Sequence, residues 1–108
     1  MTYHFIPIEL QGELQNQTTI FIKKALPKVS WRIIADARGK FIYLRRLMND
    51  NSYINLGRLT YSGDIEKMPF AIFRYNTEKY DSKRQFPGSH YLNGTLEGAL
   101  QAILEAFP

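Results

Sequence analysis

The stretch "VSWRIIADARGKFIYLRRLM", residues 29–48, predicts a β-hairpin around which the rest of the fold can be placed. Side-chain type alternates along it with a period of two, and β-branched and aromatic residues dominate both halves, as is typical of strands. The halves flank "DARGK", where Gly39 can adopt the positive φ that a tight hairpin turn requires. We therefore expect two antiparallel strands joined at Gly39.

Two further strands are predicted after this hairpin. "YINLGRLTY" and "PFAIFRY" are rich in strand-forming residues and are separated by the turn-like segment "SGDIEK". All four strands are joined by short connections, which favour antiparallel neighbours. The expected sheet is a four-stranded antiparallel meander in sequence order. The polar stretch 76–94, "NTEKYDSKRQFPGSHYLNG", has no clear periodicity and is expected to be one long loop.

Amphipathic helices are predicted on either side of the strands. In "IELQGELQNQTTIFIKKAL" apolar residues recur at spacings of three and four up to Pro27, and Gly12 favours a start at or after residue 12. In "TLEGALQAILEAFP" Thr95 can cap a helix that has Glu97 in its first turn. We expect residues 1–108 to form a single α+β domain of order α-β-β-β-β-α. Whether the two helices share one sheet face stays open.

Composition limits the classes of function. The chain has no cysteine, which excludes disulfides, thiolate nucleophiles and cysteine-built metal sites. No apolar run approaches the ~18 residues of a membrane span, and the start "MTYHFIPIEL" lacks the pattern of a signal peptide. We therefore expect a cytoplasmic protein that does not associate with membranes.

Positive charge is concentrated in the middle of the chain. The formal net charge is +4, and residues 23–58 hold nine basic residues against two acidic ones. This imbalance is compatible with an anionic partner, although a well-solvated surface is the simpler explanation.

Aromatic and basic residues of the strands form the main candidate site. On one alternation, the residues assigned to a common sheet face are Arg32, Phe41, Tyr43, Arg45, Tyr53, Asn55, Tyr61, Phe70, Ile72 and Arg74. Such a face can bind a protein partner or a second copy of the chain in a homodimer, because tyrosine and arginine are enriched at interfaces. It can alternatively stack the bases and hold the phosphates of single-stranded nucleic acid. The predicted contact residues are Arg32, Tyr43, Arg45, Tyr53 and Arg74, with Arg46 and Arg58 adding phosphate contacts.

An enzymatic site in the long loop is the weaker alternative. His90 can transfer protons near neutral pH, and its polar neighbours in this region are Tyr80, Asp81, Arg84 and Ser89. Neither His90 nor His4 has a metal-ligating residue at a helical or hairpin spacing. We therefore expect a non-enzymatic interaction module without metal or cofactor.

The C-terminal third of the chain resembles a family of small uncharacterised bacterial proteins. The resemblance lies in "FAIFRYNTEKYD" and "FPGSHYLNGTLEGALQAILEAFP", where a strand with Phe-Ala leads through a polar loop to a Gly-Thr-x-Glu-Gly-Ala helix start and a terminal aromatic-Pro pair. These features imply a helix cap and a packing stripe. The family has no assigned activity, so the resemblance implies no catalytic residue here.

Overall fold

The computed structural model describes residues 5–83 and 85–107, which form two α-helices, five strands and one 3₁₀ helix. In chain order these elements are α1 Ile8–Ala25, β1 Arg32–Arg38, β2 Phe41–Leu47, β3 Tyr53–Thr60, β4 Phe70–Arg74, β5 Lys79–Asp81, the 3₁₀ helix Ser89–Tyr91 and α2 Leu96–Ala106. The strands form one antiparallel sheet in sequence order. The predicted α+β class and the meander order are therefore confirmed.

The hairpin of β1 and β2 lies where the alternating pattern predicts it. Gly39 adopts φ 61° in the turn, and Asp36 pairs with Tyr43 across the two strands. The turn residue is a glycine because a side chain would be strained at this φ.

The sheet has five strands rather than the predicted four, because β5 lies inside the region expected to be one loop. Tyr80 of β5 pairs with Phe73 of β4, and Lys79 pairs with Arg74. Three residues are too few to show an alternating pattern, and the turn before them uses Glu78 at φ 55° rather than a glycine. The hairpin therefore lacks both of the signals by which a short strand is usually recognised.

The sequence predicted the first residue of α2 correctly but not that of α1. α1 begins at Ile8, so the expected start at or after residue 12 is wrong; Gly12 lies on an exposed side of the helix with no neighbouring atom to contact. α2 begins as predicted, because the hydroxyl oxygen of Thr95 accepts a hydrogen bond from the N–H of Gly98 at 3.1 Å. No helix in the two described ranges has the length and apolarity needed to cross a membrane.

Both helices pack on the same face of the sheet. A single apolar cluster joins helix and strand residues, and its members include Leu14, Ile22, Ile33, Ile42, Leu44, Leu59, Ile72, Leu100 and Ile103. The strand members of this cluster lie on one side of the sheet. Ile42 of β2 pairs with Leu59 of β3, and Gly57, two residues before Leu59 and therefore on the same side, pairs with Ile72 of β4. We call this side the helix-covered face and the opposite side the helix-free face.

A side chain of α1 protects the outer edge of β1. Gln15 Nε2 donates to the carbonyl oxygen of Ile33 at 3.1 Å, and Gln15 Oε1 accepts from the N–H of Ala35 at 2.8 Å. An open strand edge is a template for pairing with another chain, and this amide occupies two of its backbone groups. The helix layer thus shields the edge of the sheet as well as one of its faces.

Candidate functional site

A β-bulge in β3 determines which residues share the helix-free face. Leu44 of β2 pairs with Gly57, but the next residue, Arg45, pairs with Asn55, so Leu56 has no partner across the strands. Leu56 is fully buried in the core. The extra residue reverses the alternation, so that odd-numbered residues before the bulge share a face with even-numbered residues after it.

The bulge separates the residues that the sequence assigned to one face. Tyr53 and Asn55 lie on the helix-free face with Tyr43 and Arg45 of β2 and with Arg32 of β1. The assignment is wrong for the residues beyond the bulge, which lie on the helix-covered face; they are Tyr61, Phe70, Ile72 and Arg74.

Arg46 and Arg74, two further arginines of the sequence prediction, lie on the helix-covered side of the sheet. Arg74 forms an ion pair with Asp81 at 3.3 Å on the helix-covered side. Arg46 is on that side too, where its guanidinium lies 4.2 Å from the Trp31 ring and donates to the carbonyl oxygen of Phe107 at 2.6 Å. Burial lowers the pKa of Arg46. Neither arginine is placed to share a ligand with Tyr43.

Arginines lie between aromatic rings across the helix-free face. The guanidinium carbon of Arg58 is 4.2 Å from the Phe41 centroid and 5.0 Å from the Tyr80 centroid. Arg45 is similarly placed, 5.5 Å from Tyr43 and 5.2 Å from Tyr53. These distances are in the range of cation–π contacts.

The rings of the helix-free face also contact one another. Tyr80 packs edge-on against Phe73 at 5.0 Å and against Tyr43 at 5.6 Å, measured between centroids. Burial raises the pKa of Tyr80, with the positive charge of Arg45 acting in the opposite direction. The sequence analysis did not name Phe73 and placed Tyr80 in the loop site; for Phe73 the signal that could have found it is Gly57, since a glycine inside a strand pattern often marks a bulge, whereas β5 with Tyr80 gives no such signal.

Positive charge exceeds negative charge on the helix-free face. Within the described residues, its strands carry the four arginines Arg32, Arg38, Arg45 and Arg58 and the single carboxylate of Asp36. Asp36 Oδ2 accepts from Arg38 Nε at 2.8 Å and from an Arg45 terminal nitrogen at 3.1 Å. The hydrogen bond that Arg38 donates to the Asp36 carboxylate raises the pKa of Arg38. Arg32 and Arg58 have no carboxylate within ion-pair distance in the described part of the chain.

Exposure differs among the rings. Tyr53 at the start of β3 is 60% exposed, whereas Phe41, Tyr43 and Tyr80 are half-buried by their neighbours. Arg32 is also exposed. Arg38 on the same face is exposed as well, so a ligand approaching this face meets Tyr53, Arg32 and Arg38 first.

The structure does not assemble the loop site. His90 belongs to the 3₁₀ helix, which packs against α2, and the centroid of its ring lies 4.2 Å from that of Tyr91, with the two rings tilted by 36°. Tyr80 lies on the helix-free face, so the sheet separates it from His90. Arg84 and His4 lie outside the described residues. Within residues 5–83 and 85–107, no three His, Asp or Glu side chains are grouped closely enough to hold a metal ion.

Comparison with known proteins assigns no family to the chain. Neither protein-family models nor curated proteins nor solved structures match it.

The resemblance to small bacterial proteins stays a prediction, and the residues that carry it have structural roles in this fold. Thr95 caps α2, and a Cβ added at Gly98 would lie 2.6 Å from the carbonyl oxygen of Tyr91.

Proposed function

We propose that the protein is a non-catalytic binding module that contacts a partner through the helix-free face. The observation that carries this proposal is the placement of both helices on the opposite face, so that within residues 5–83 and 85–107 no second layer of structure covers the rings and arginines. Tyrosine and arginine dominate the energetics of many interfaces because they combine a large apolar area with polar groups. A layer with this composition is suited to bind another molecule.

The charge of this face favours a different molecule over a second copy of the chain. In a two-fold homodimer the same patch faces itself, so four arginines and one carboxylate would oppose an identical set. Like charges across an interface are unfavourable and select against that pairing. A partner with negative charge would instead be attracted to Arg32 and Arg58.

Photo-crosslinking from the helix-free face tests the proposal. Because the chain has no cysteine, a single introduced thiol carries the crosslinker at a known position. Thr60→Cys places it on the helix-free face beside Phe41, and Asn16→Cys places it on an exposed position of α1. We expect a crosslinked species in extracts of the native cells with Thr60→Cys that is absent with Asn16→Cys. Identical products from both positions, or none from Thr60→Cys, would contradict the proposal.

A further inference from the structure

We infer that the partner of the helix-free face is a single-stranded nucleic acid. This inference rests on the proposed binding function of that face. A single strand offers phosphates for cations and unpaired bases for planar groups, and the described residues of this face supply both kinds of contact.

Phosphate recognition follows from how the charges are distributed. Asp36 supplies the only carboxylate that the described strands place on this face; Arg38 and Arg45 form ion pairs with it, so its charge is neutralised within the face. Arg32 and Arg58 have no such partner in the described ranges. Guanidinium groups bind phosphate oxygens through paired hydrogen bonds, and each neutralised phosphate releases counterions. These two side chains are therefore the expected phosphate contacts.

Base recognition follows from the open ring of Tyr53. This ring is 60% exposed, and the Arg45 guanidinium lies 5.2 Å from its centroid. Bases stack on tyrosine rings and on guanidinium planes, so one base can contact both groups. Asp36 and Arg45 are held together by an ion pair, which fixes the guanidinium before a ligand arrives.

The rings distinguish a single strand from other anionic partners. In a duplex the bases are already paired and stacked. The phosphates of a duplex would therefore contact the arginines, but its bases would not stack on the ring of Tyr53. The face of a five-stranded sheet is also too broad for a major groove that admits a helix or a two-stranded ribbon. An acidic protein would likewise be bound mainly by charge. These two partners are therefore outcomes that the experiment must separate from a single strand.

Binding to a labelled single-stranded oligonucleotide of about 12 nucleotides, followed by fluorescence anisotropy, tests the charges. The double variant Arg32→Gln/Arg58→Gln removes two cations from the helix-free face, and Lys23→Gln/Lys24→Gln removes two from the exposed end of α1. Removing two phosphate contacts should make the slope of log affinity against log salt shallower by about 1.4. The lysine variant should keep the original slope. Arg32→Gln alone serves as a second variant if the double variant is unstable, because the exposed Arg32 side chain forms no hydrogen bond or ion pair with the other described residues.

A pair of tyrosine variants tests the stacked base. Tyr53→Ala should weaken binding by a factor of about 5 to 150, because a stacked base contributes about 1–3 kcal/mol. Tyr91→Ala removes an exposed ring on the helix side and should leave the affinity unchanged. A duplex of the same sequence should bind more weakly than the single strand and should not respond to Tyr53→Ala.

The outcomes separate this inference from the proposed function. No binding of the oligonucleotide, equal binding of the duplex, or equal losses in the arginine and lysine variants would overturn the inference. If Thr60→Cys still crosslinks to a protein that Asn16→Cys does not reach, the proposed function stands and the partner is a protein rather than a nucleic acid. If neither oligonucleotide binding nor site-specific crosslinking is found, both proposals fail.

Discussion

The helix-covered and helix-free faces of the sheet shield the same strands from water with different side chains. On the covered face, Ile42 and Leu44 are completely buried beneath the helices. On the helix-free face, Phe41 and Tyr43 are half-buried, and their cover comes from neighbouring rings and guanidiniums in the same layer. One face therefore depends on packing between layers and the other on contacts within a layer.

This difference bears on the proposed binding role. Because the rings of this layer are only half-buried, a partner can replace the water that contacts them without displacing part of the fold. The apolar contacts between layers offer no such surface, because protein interiors are close-packed. Substitutions on the helix-free face should therefore affect binding more than stability, and those on the covered face should do the reverse.

Neighbouring residues of β2 allow the sharpest test of the comparison. Leu44→Ala should lower the free energy of unfolding by about 2–5 kcal/mol, because it leaves a cavity in the core. Tyr43→Ala should lower it by only about 1–2 kcal/mol, since its ring contacts are made in a partly hydrated layer. Urea unfolding of both variants measures the two values. Equal costs would show that the helix-free face is as tightly packed as the core.

Gly57 tests the packing of the covered face at the bulge. A Cβ added there would overlap the ring of Phe70 and lie 2.9 Å from the carbonyl oxygen of Ala71. Gly57→Ala should therefore lower the free energy of unfolding by about 1–3 kcal/mol, the usual cost of overpacking. The measurement is again urea unfolding.

A double variant distinguishes overpacking from a backbone effect. Phe70→Leu removes the ring that the new methyl group would meet, so its cost and that of Gly57→Ala should not add. We expect the double variant to be more stable than the sum of the single effects by about 1 kcal/mol. Additive costs would mean that the glycine is required for the backbone of the bulge instead.

Sequence patterns predicted the elements of the fold better than the composition of each face. The hairpin at Gly39 and the cap at Thr95 depend on local geometry, which nearby residues specify. The sharing of one face by both helices could not be predicted, because apolar residues occur on both alternations of the strands, as with Ile33 and Ile34 in β1. The choice depends on how the helices and the sheet pack in three dimensions.

Only part of the candidate site could be predicted from the sequence, because a bulge interrupts the alternation of side chains in β3. Arg32, Tyr43, Arg45 and Tyr53 come together because the alternation is regular up to the bulge. Beyond the bulge one extra residue moves every later side chain to the other face, which is why Arg74 was misplaced. A register error of one residue therefore changes which side chains are assigned to each face in the half of the sheet beyond the bulge.

Arg45 and Arg46, which are adjacent in β2, allow the two faces to be compared through charged side chains. Arg46 on the covered face stacks on Trp31 and donates to the carbonyl oxygen of Phe107 at the end of α2, a helix without a basic residue in its last turn. It therefore supplies the cation that suits this end of the helix dipole. Arg46→Lys should cost about 1 kcal/mol, because lysine lacks the planar group that makes both contacts.

Arg45→Lys is the matched control on the helix-free face. Its contacts with Asp36 and two tyrosines are partly hydrated, so the expected cost is about 0.5 kcal/mol. Trp31 is the only tryptophan in the chain, and its emission should change in Arg46→Lys but not in Arg45→Lys. Unchanged emission in both variants would place the Arg46 guanidinium away from the indole.

The smallest expected effect concerns the pH dependence of the helix-free face. Burial raises the pKa of Tyr80 above its usual value of 10.0, although Arg45 and Arg58 favour the ionised form. The folded protein then holds the phenol proton more tightly than the unfolded chain. The stability that Tyr80 contributes is therefore complete below about pH 10 and is lost as the pH rises through its folded pKa.

Comparing the original chain with Tyr80→Phe isolates this contribution from those of the other tyrosines and the lysines. Urea midpoints measured between about pH 8.5 and 11 should fall more steeply for the original chain, because the variant has no proton to lose at this position. A shallower fall in the original chain would mean that the two arginines lower the pKa of Tyr80. The helix-free face would then behave as a hydrated cationic surface, and the in-layer shielding inferred from its ring contacts would be incorrect.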